Sequence, residues 1–427
     1  MKKFLSFALA AAMAASLAAC SSPSSASTPA ASASTPSSAA PAEKVTIEFF
    51  QMKDEGTDYY NDLIAEFEKQ YPNIHVEYTN VPDAETVIMT RMASDQVPDV
   101  FTHFALDPAF REQIKAGYVM DITGDPALAN VSDDILKLSE VDGKAYSVPV
   151  SLNMLGVYYN KDLFEQAGIR ETPKTIDELY AACDTLKAAG IQPFVFPDKD
   201  VWTVRQFCDR ASVTMLEDPQ GLFQSIADGK AKATDSPELR KMAETIVKLR
   251  TYGQQDNLGT GQEQAIADFA SGKAAMFFSG TFAYPEINKS NPDMNIEMFP
   301  YPSFGGANTD RIGVNVDTAF CISATTKHPE EAKLFMDFCT TKENAQKFAD
   351  YDGSPSAIKD VAYNNEVFQN MYKNYVVAGK TIEIPSNSWP SSFGGEYGNI
   401  NQELIASGDA DAWLANLDTL ILDTYNE

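Results

Sequence analysis

Polar side chains that could bind a ligand follow the ends of several predicted strands. In open α/β sheets, ligands bind just beyond the carboxyl ends of the strands. Side chains in such positions can hydrogen-bond the hydroxyl, amide or charged groups of a small molecule. The candidates at these positions are Gln51, Lys53, Asp54, His103 and Asn153. We therefore expect them to contribute to a binding site.

Catalytic patterns are missing from the sequence. It has no G-x-S-x-G nucleophile motif, and His75, His103 and His328 are far apart, with no H-E-x-x-H. The cysteines show no metal-like spacing, so we predict neither a metal site nor a cofactor. Asp and Glu are abundant, so composition leaves a glycosidase pair of carboxylates open. The sequence predicts a protein that is not an enzyme.

The elements that would position these residues begin as a βαβ unit. Residues 45–50 form an apolar strand, 59–71 carry apolar residues at helical spacing, and 74–78 alternate as a second strand. A helix over 83–94 and a buried strand over 98–102 follow. Strands that alternate with helices predict an α/β fold with a largely parallel sheet.

The same alternation continues through the rest of the chain. Thr175 and Glu178 form a predicted capping box at the start of a helix. Trp202 and Trp389 are predicted in loops, either as ligand platforms or as packing residues. Further extended segments are predicted at 146–150, 155–159, 274–278 and 319–323, and further helices at 237–252, 262–271 and 329–348. Two α/β regions of similar size are thus expected.

Composition limits the possible partners. The 427 residues carry a formal net charge of -27, which argues against binding to nucleic acid or to anionic lipid. Beyond Cys20, the cysteines Cys183, Cys208, Cys321 and Cys339 are scattered. We expect them to be buried thiols, although the sequence leaves disulfide pairing open.

The N-terminus resembles a lipoprotein leader. Lys2 and Lys3 precede a short apolar run that ends in Leu-Ala-Ala-Cys at Cys20, similar to a bacterial lipobox. The resemblance implies a signal peptide over 1–19, cleavage before Cys20 and acylation of its thiol. A flexible linker rich in Ser, Ala, Pro and Thr extends to residue 42. We therefore expect a lipid anchor at the extracytoplasmic face of the cell membrane, as on a Gram-positive cell surface.

Five short motifs follow one another along the chain. They are G-K-A-Y-S-V-P at 143–149, Y-Y-N-K-D-L-F-E-Q-A-G-I at 158–169, P-K-T-x-x-E-L at 173–179, G-K-A-A-M at 272–276 and K-H-P-E-E-A at 327–332. In this order they resemble the extracellular solute-binding proteins of ABC importers, in particular the large sugar-binding group. The resemblance spans nearly all of 45–427, and the order is far more specific than any single motif.

The resemblance implies a two-lobed, periplasmic-binding-protein-like (type II) α/β fold with an interlobe ligand cleft and hinge crossings. It assigns 45–150 and 304–352 to lobe I, and 151–303 and 353–427 to lobe II. The implied ligand is a mono- or oligosaccharide, and the implied partners are ABC permease subunits in the membrane. The receptor itself is expected to be a monomer that closes on its ligand like a hinge.

The resemblance also assigns residues to the cleft. Phe282 occupies the usual aromatic position after Ser-Gly, although a Trp is common there, and Trp389 matches a late tryptophan. Asp317 either faces the cleft or belongs to a turn. The implied ligand-binding set is Gln51, Lys53, Asp54, His103, Asn153, Trp202, Phe282, Asp317 and Trp389.

Three other functions remain open at this point. The same fold could bind a peptide, polyamine or phosphorylated solute, the chain could be a surface glycosidase, or it could be an adhesin. The acidic composition disfavours anionic ligands. Binding of an unmodified solute would separate a receptor from an enzyme.

Overall fold

The computed structural model describes residues 44–53, 56–304, 310–382 and 384–425. The predicted signal peptide, the lipidation site Cys20, the linker and the candidate ligand residue Asp54 lie outside the described residues. Within the described ranges, no helix has the length and apolar composition needed to cross a bilayer.

The strands of the body form two sheets. The described ranges contain eleven strands: β1 Val45–Gln51, β2 Ile74–Asn80, β3 Val100–His103, β4 Val148–Pro149, β5 Leu152–Asn160, β6 Phe194–Val195, β7 Met276–Gly280, β8 Ile296–Phe299, β9 Ile312–Val316, β10 Ala319–Ile322 and β11 Thr381–Ile382. The first sheet has the order β2-β1-β3-β10-β4, and the second has β11-β9-β5-β7-β6 with β8 also paired to β5.

Helices cover both sheets. They are α1 Thr57–Gln70, α2 Ala84–Ala93, α3 Pro108–Lys115, α4 Asp133–Ser139, α5 Lys161–Gln166, α6 Ile176–Ala188, α7 Val201–Met215, α8 Pro219–Ala227, α9 Pro237–Arg250, α10 Gln262–Ala270, α11 Tyr284–Ser290, α12 Pro329–Cys339, α13 Lys342–Asp352, α14 Gln369–Met371, α15 Phe393–Ser407 and α16 Ala410–Thr424. The α/β prediction is therefore confirmed.

The first sheet begins with the predicted βαβ unit. β1 pairs in parallel with β2 from Val45 opposite Ile74 to Gln51 opposite Asn80, and α1 connects the two strands. β10 runs antiparallel between β3 and β4. Apolar residues of β1 and α1, such as Phe49 and Phe67, are fully buried in the core of this sheet. Burial of such side chains is the main force that holds the layer together.

The second sheet is built around β5, whose nine residues are almost all buried. β5 pairs with β9 over its first residues, with β8 over its last and with β7 along the other edge. Its core contains side chains from α7, α9, α15 and α16. The predicted capping box at α6 is present, because the Thr175 hydroxyl accepts from the Glu178 N–H and the Glu178 carboxylate accepts from the Thr175 N–H.

Three predictions about elements need correction. The helix predicted over 329–348 is two helices, α12 and α13, because the chain turns at Thr340 and the Thr341 side chain caps a new helix by accepting from the Asn344 N–H. Trp202 lies in the first turn of α7 rather than in a loop. The range 304–352, expected in lobe I, contains β9, which pairs with β5 of the second sheet.

The chain passes between the sheets through segments that lie side by side. Val150 N–H donates to the Thr318 carbonyl (2.9 Å), and Asp317 N–H donates to the Ser151 carbonyl (3.0 Å). A third segment joins them, because Leu152 N–H donates to the Pro355 carbonyl (2.8 Å). These hydrogen bonds connect the crossing segments into one hinge-like strip.

The four cysteines of the body are buried free thiols. Cys183, Cys208, Cys321 and Cys339 make no disulfide in the described part of the chain. Burial raises the pKa of each thiol, and that of Cys208 to about 12. They therefore behave as small apolar core residues, as expected.

Candidate functional site

A cavity of about 390 Å³ lies between the two sheets. One wall comes from the end of β1 and the starts of α2 and α3, and the other from α7, the turn after β7 and the segment around Trp389. The lining residues include Lys53, Glu85, Asp107, Asn153, Trp202, Arg205, Gln206, Asp209, Arg210, Phe282, Asn315, Asp317 and Trp389. Its size and mixture of aromatic and polar groups are those of a small-molecule site.

A larger groove lies elsewhere, around the far end of β5 and β8. It measures about 1350 Å³ but contains none of the predicted ligand-binding residues. Two ion pairs lie in it, Lys161 with Glu297 (2.5 Å) and Lys380 with Asp310 (2.5 Å). The smaller interlobe cavity is therefore the better candidate site.

The structure brings most of the predicted residues to this cavity. Six of the nine line it: Lys53, Asn153, Trp202, Phe282, Asp317 and Trp389. They come from six separate stretches of the chain, which the two sheets and the crossing segments hold together. This convergence places them at one site.

Gln51 and His103 lie beside the cavity but do not line it. Gln51 is 1% exposed, and its Oε1 accepts from the Met52 N–H and the Thr102 hydroxyl. The His103 ring stacks on Phe110 with centroids 4.6 Å apart. Burial lowers the pKa of His103, and its Nδ1 accepts from the Phe104 N–H. Both side chains are thus packed within the first sheet layer.

An aromatic corner forms one part of the cavity wall. Trp202 is 41% exposed, and its ring centroid lies 6.2 Å from that of Phe282 at an angle of 56°. Gly280 makes this corner possible, because a Cβ there would lie 2.6 Å from the Phe282 ring and 2.6 Å from Asn153 Oδ1. An exposed Trp face beside a second ring can cover the C–H surface of a ligand.

Trp389 differs from Trp202 because it is largely buried. It is 6% exposed and packs edge-on against Phe393 (4.8 Å) and Tyr397 (5.0 Å). Its Nε1 has no hydrogen-bond partner among the described residues. Trp389 therefore belongs to the core of the second sheet while one edge reaches the cavity.

The amide of Asn153 has a fixed orientation. Its Oδ1 accepts from the Thr281 N–H (3.1 Å) and the Thr281 hydroxyl (3.0 Å). A flipped amide would place two donors against each other, so the oxygen must face Thr281. Asn315 lies directly opposite Asn153 in the β5–β9 pair, and the Oδ1 of Asn315 has no partner in the described part of the chain. The two amides supply polar groups to the cavity floor.

A buried charge cluster lies below this floor. The Lys53 Nζ is 2.7 Å from Asp317 Oδ2 and 3.7 Å from Asp352 Oδ1. Burial raises the pKa of Asp352, and the Lys53 charge opposes that rise. Lys53 and Asp317 reach the cavity, whereas Asp352 does not. The positive charge of Lys53 is therefore already compensated within the protein.

Sequence reasoning missed a polar stripe on α7. Trp202, Arg205, Gln206, Asp209 and Arg210 follow the i, i+3, i+4, i+7, i+8 spacing of one helix face, and all line the cavity. That spacing is present in the sequence and predicts a helix there, so the loop predicted around Trp202 is wrong. Glu85 and Asp107, at the starts of α2 and α3, were also missed.

The comparison with known proteins agrees with this architecture. The profile of the family described as "Bacterial extracellular solute-binding protein" matches residues 53–346. The "Multiple sugar-binding protein" of Streptococcus mutans is 33% identical over 324 residues, covering 75% of this chain and 76% of that protein. The "Melibiose/raffinose/stachyose-binding protein MelE" of Bacillus subtilis is 25% identical over 393 residues, covering 86% and 87%.

Solved structures are similar over almost the whole chain. A structure described as "SBP RafE in complex with raffinose" superposes with a TM-score of 0.82 at 28% identity, covering 89% of this chain and 100% of that one. The apo form of RafE from Streptococcus pneumoniae gives 0.71, also at 28% identity, covering 90% and 99%. The chain therefore superposes better on the raffinose complex than on the apo form.

This chain belongs to the bacterial extracellular solute-binding proteins. The family resemblance inferred from the five motifs and the two-lobed fold are both confirmed. Members are solute-binding receptors rather than enzymes, and membership places the folded body outside the cytoplasm.

Proposed function

We propose that this chain is the sugar-binding receptor of an ABC importer, which captures a mono- or oligosaccharide in the interlobe cavity and delivers it to the permease. The observation that carries this proposal is the exposed ring of Trp202 beside Phe282 and the oriented amide of Asn153 in one cavity. Sugars present C–H faces to aromatic rings and hydroxyl groups to amides and charged side chains.

Relatives support a carbohydrate ligand. The names of the relatives from S. mutans and B. subtilis refer to sugars, and the raffinose complex shares this fold at 28% identity. The buried compensation of Lys53 by Asp317 argues against an anionic solute, because the positive charge nearest the floor is already paired. A neutral polyhydroxylated ligand fits these groups best.

The lipid anchor is part of the same proposal. Acylation of Cys20 and a linker of about 20 residues would hold the receptor near the permease and raise its effective concentration there. Labelling of cells with a palmitate analogue tests this step. Incorporation into the wild-type chain and its loss in Cys20→Ala are expected, whereas equal labelling of both would contradict the anchor.

Calorimetry of the purified chain tests the ligand class. We expect saturable binding of at least one of raffinose, stachyose and melibiose, and none of dipeptides or spermidine. Trp202→Ala should weaken sugar binding by about 1–3 kcal/mol, because it removes an exposed ring rather than a core residue. Leu138→Ala, at a comparably exposed apolar side chain outside the cavity, is the matched control.

Two results would overturn the proposal. Binding of peptides or polyamines without sugar binding would assign a different ligand class to the cavity. Release of sugar fragments during the incubation would identify an enzyme instead of a receptor.

A further inference from the structure

Two charged side chains on opposite walls of the cavity have no partner among the residues that the structure describes. Glu85 lies in the first turn of α2, in the layer of the first sheet, and Arg205 lies on α7, in the layer of the second. Both line the cavity. Within the described ranges, neither makes a hydrogen bond or an ion pair shorter than 4 Å.

Most other charges of the cavity are already engaged. Lys53 pairs with Asp317 (2.7 Å), and Arg210 pairs with Asp209 (2.6 Å). Asp107 accepts from the Ala109 N–H (2.7 Å) and so caps α3. Glu85 and Arg205 therefore remain as half-buried charges whose hydrogen-bonding capacity is unused.

The two groups line the same cavity and are close enough for their charges to interact. Burial raises the pKa of Glu85, the negative charge of Asp107 raises it further, and the positive charge of Arg205 lowers it. Each side chain therefore lies within reach of the other's charge, on its own wall of the cavity.

We propose that Glu85 and Arg205 together bind one pair of adjacent hydroxyl groups of a neutral sugar, with Arg205 donating and Glu85 accepting. This inference rests on the proposed function. A hydroxyl group both donates and accepts, so a vicinal diol can satisfy both charged groups at once. The ligand would then complete a hydrogen-bonded bridge between the two lobes.

The same arrangement selects against negatively charged sugars. A carboxylate or phosphate could pair with Arg205, but it would lie close to Glu85 and Asp107 and near the exposed Asp83 at the rim. Like charges at such short range repel strongly in a partly buried site. We therefore expect the cavity to accept neutral glycans and to exclude uronic-acid or phosphorylated ones.

Calorimetry with raffinose tests the bridge, or with whichever neutral sugar binds the wild-type chain. Glu85→Gln and Arg205→Met should each weaken binding by about tenfold or more, because each removes a charge-assisted hydrogen bond. The double variant should lose less than the product of the two single losses, since both residues act on the same hydroxyl pair.

A control separates the bridge from general attraction between the lobes. Asp58 and Lys289 form an exposed ion pair (3.2 Å) that joins α1 and α11 outside the cavity. The variant Asp58→Asn/Lys289→Gln should bind raffinose as the wild type does. Small-angle scattering of the ligand-free protein should be the same for all variants.

The possible outcomes are distinct. If the wild type binds no sugar, the proposed function fails. If the wild type binds raffinose but both single variants bind it equally well, only the bridge fails. A change in ligand-free scattering for Glu85→Gln and Arg205→Met would overturn the bridge in favour of a direct ion pair. Equal binding of an aldouronic acid and a neutral oligosaccharide would overturn the charge selection.

Discussion

Replacement of Lys53 by Met should destabilise the protein strongly. Lys53 is 8% exposed and lies between Asp317 and Asp352, at 2.7 and 3.7 Å. Its loss would leave two buried carboxylates without their cation. Breaking a buried ion pair by removing one partner costs about 3–5 kcal/mol, so we expect the free energy of unfolding at pH 7 to fall by about that amount.

Asp352→Asn, unlike Lys53→Met, should not destabilise the protein. The Oδ2 atom of Asp352 has no partner among the described residues, and its carboxylate lies at the C-terminal end of α13, where negative charge is unfavourable. Burial raises the pKa of Asp352 in the folded state above its value in the unfolded chain. The stability that the protonated carboxyl group contributes is therefore fully present below the unfolded-state pKa, and it is lost as the pH rises through the folded-state pKa. At pH 7 the variant should be as stable as the wild type or up to about 1 kcal/mol more stable.

Urea unfolding without ligand, followed by tryptophan fluorescence, measures both variants. The m-value should stay constant, so that the midpoint reports stability alone. Lys289→Met, which breaks an exposed ion pair, is the control and should cost less than about 1 kcal/mol. The reasoning is refuted if Lys53→Met is no more destabilising than this control, or if Asp352→Asn costs as much as Lys53→Met.

Three further predictions concern pH and packing. Raffinose affinity should fall as the pH decreases, and the fall should begin above the usual pKa of a carboxyl group, because burial and Asp107 raise the pKa of Glu85. Calorimetry should show no such fall for Glu85→Gln. Burial and Asp125 raise the pKa of Asp337 to about 6. Asp337→Asn should therefore raise the free energy of unfolding at pH 7.5 but not at pH 4. The expected gain is roughly 1 kcal/mol, because solvent screens this partly exposed carboxylate. Urea unfolding at the two pH values measures this difference. Trp389→Ala should lower stability by about 3–5 kcal/mol in the same assay, because the ring is buried.

The sequence predicted regular elements well where apolar spacing and capping agreed. The βαβ unit and the capping box of α6 depend on local signals, and both are present. The predicted helix over 329–348 shows the limit of such signals. Its apolar spacing continues from Phe335 to Phe348, but the Thr341 side chain caps a second helix between them. The spacing of apolar residues does not reveal where one helix ends and the next begins when both helices pack against the same core.

The α7 helix was predictable from its buried face, which carries apolar residues at regular helical spacing. These residues are Val204, Phe207, Cys208, Ala211 and Met215. Its cavity face mixes aromatic and charged residues, among them Trp202, Arg205 and Asp209. The sequence does not show that this mixed face lines a cavity rather than meeting solvent, because that depends on the opposite lobe.

The expectation that ligands bind beyond the carboxyl ends of strands located the site but did not identify every residue in it. It led to Lys53 and Asn153, which line the cavity, and equally to Gln51 and His103, which do not. Gln51 is the last residue of β1, whereas Lys53 lies beyond the strand, where the alternation of strand side chains no longer applies. The sequence does not show where the chain leaves the strand and turns toward the cavity. The sequence also could not predict the ion pair between Lys53 and Asp352, because about 300 residues separate the two in the chain.

The position of β10 in the first sheet has a consequence for biogenesis. β10, at Ala319–Ile322, lies between β3 and β4, which end at His103 and Pro149. The N-terminal part of the chain therefore cannot complete its sheet until residue 322 has been synthesised. Sheets that depend on such distant segments form slowly. A nascent chain that stops short of residue 322 lacks the strand that joins β3 to β4, so the first sheet is completed only late in synthesis.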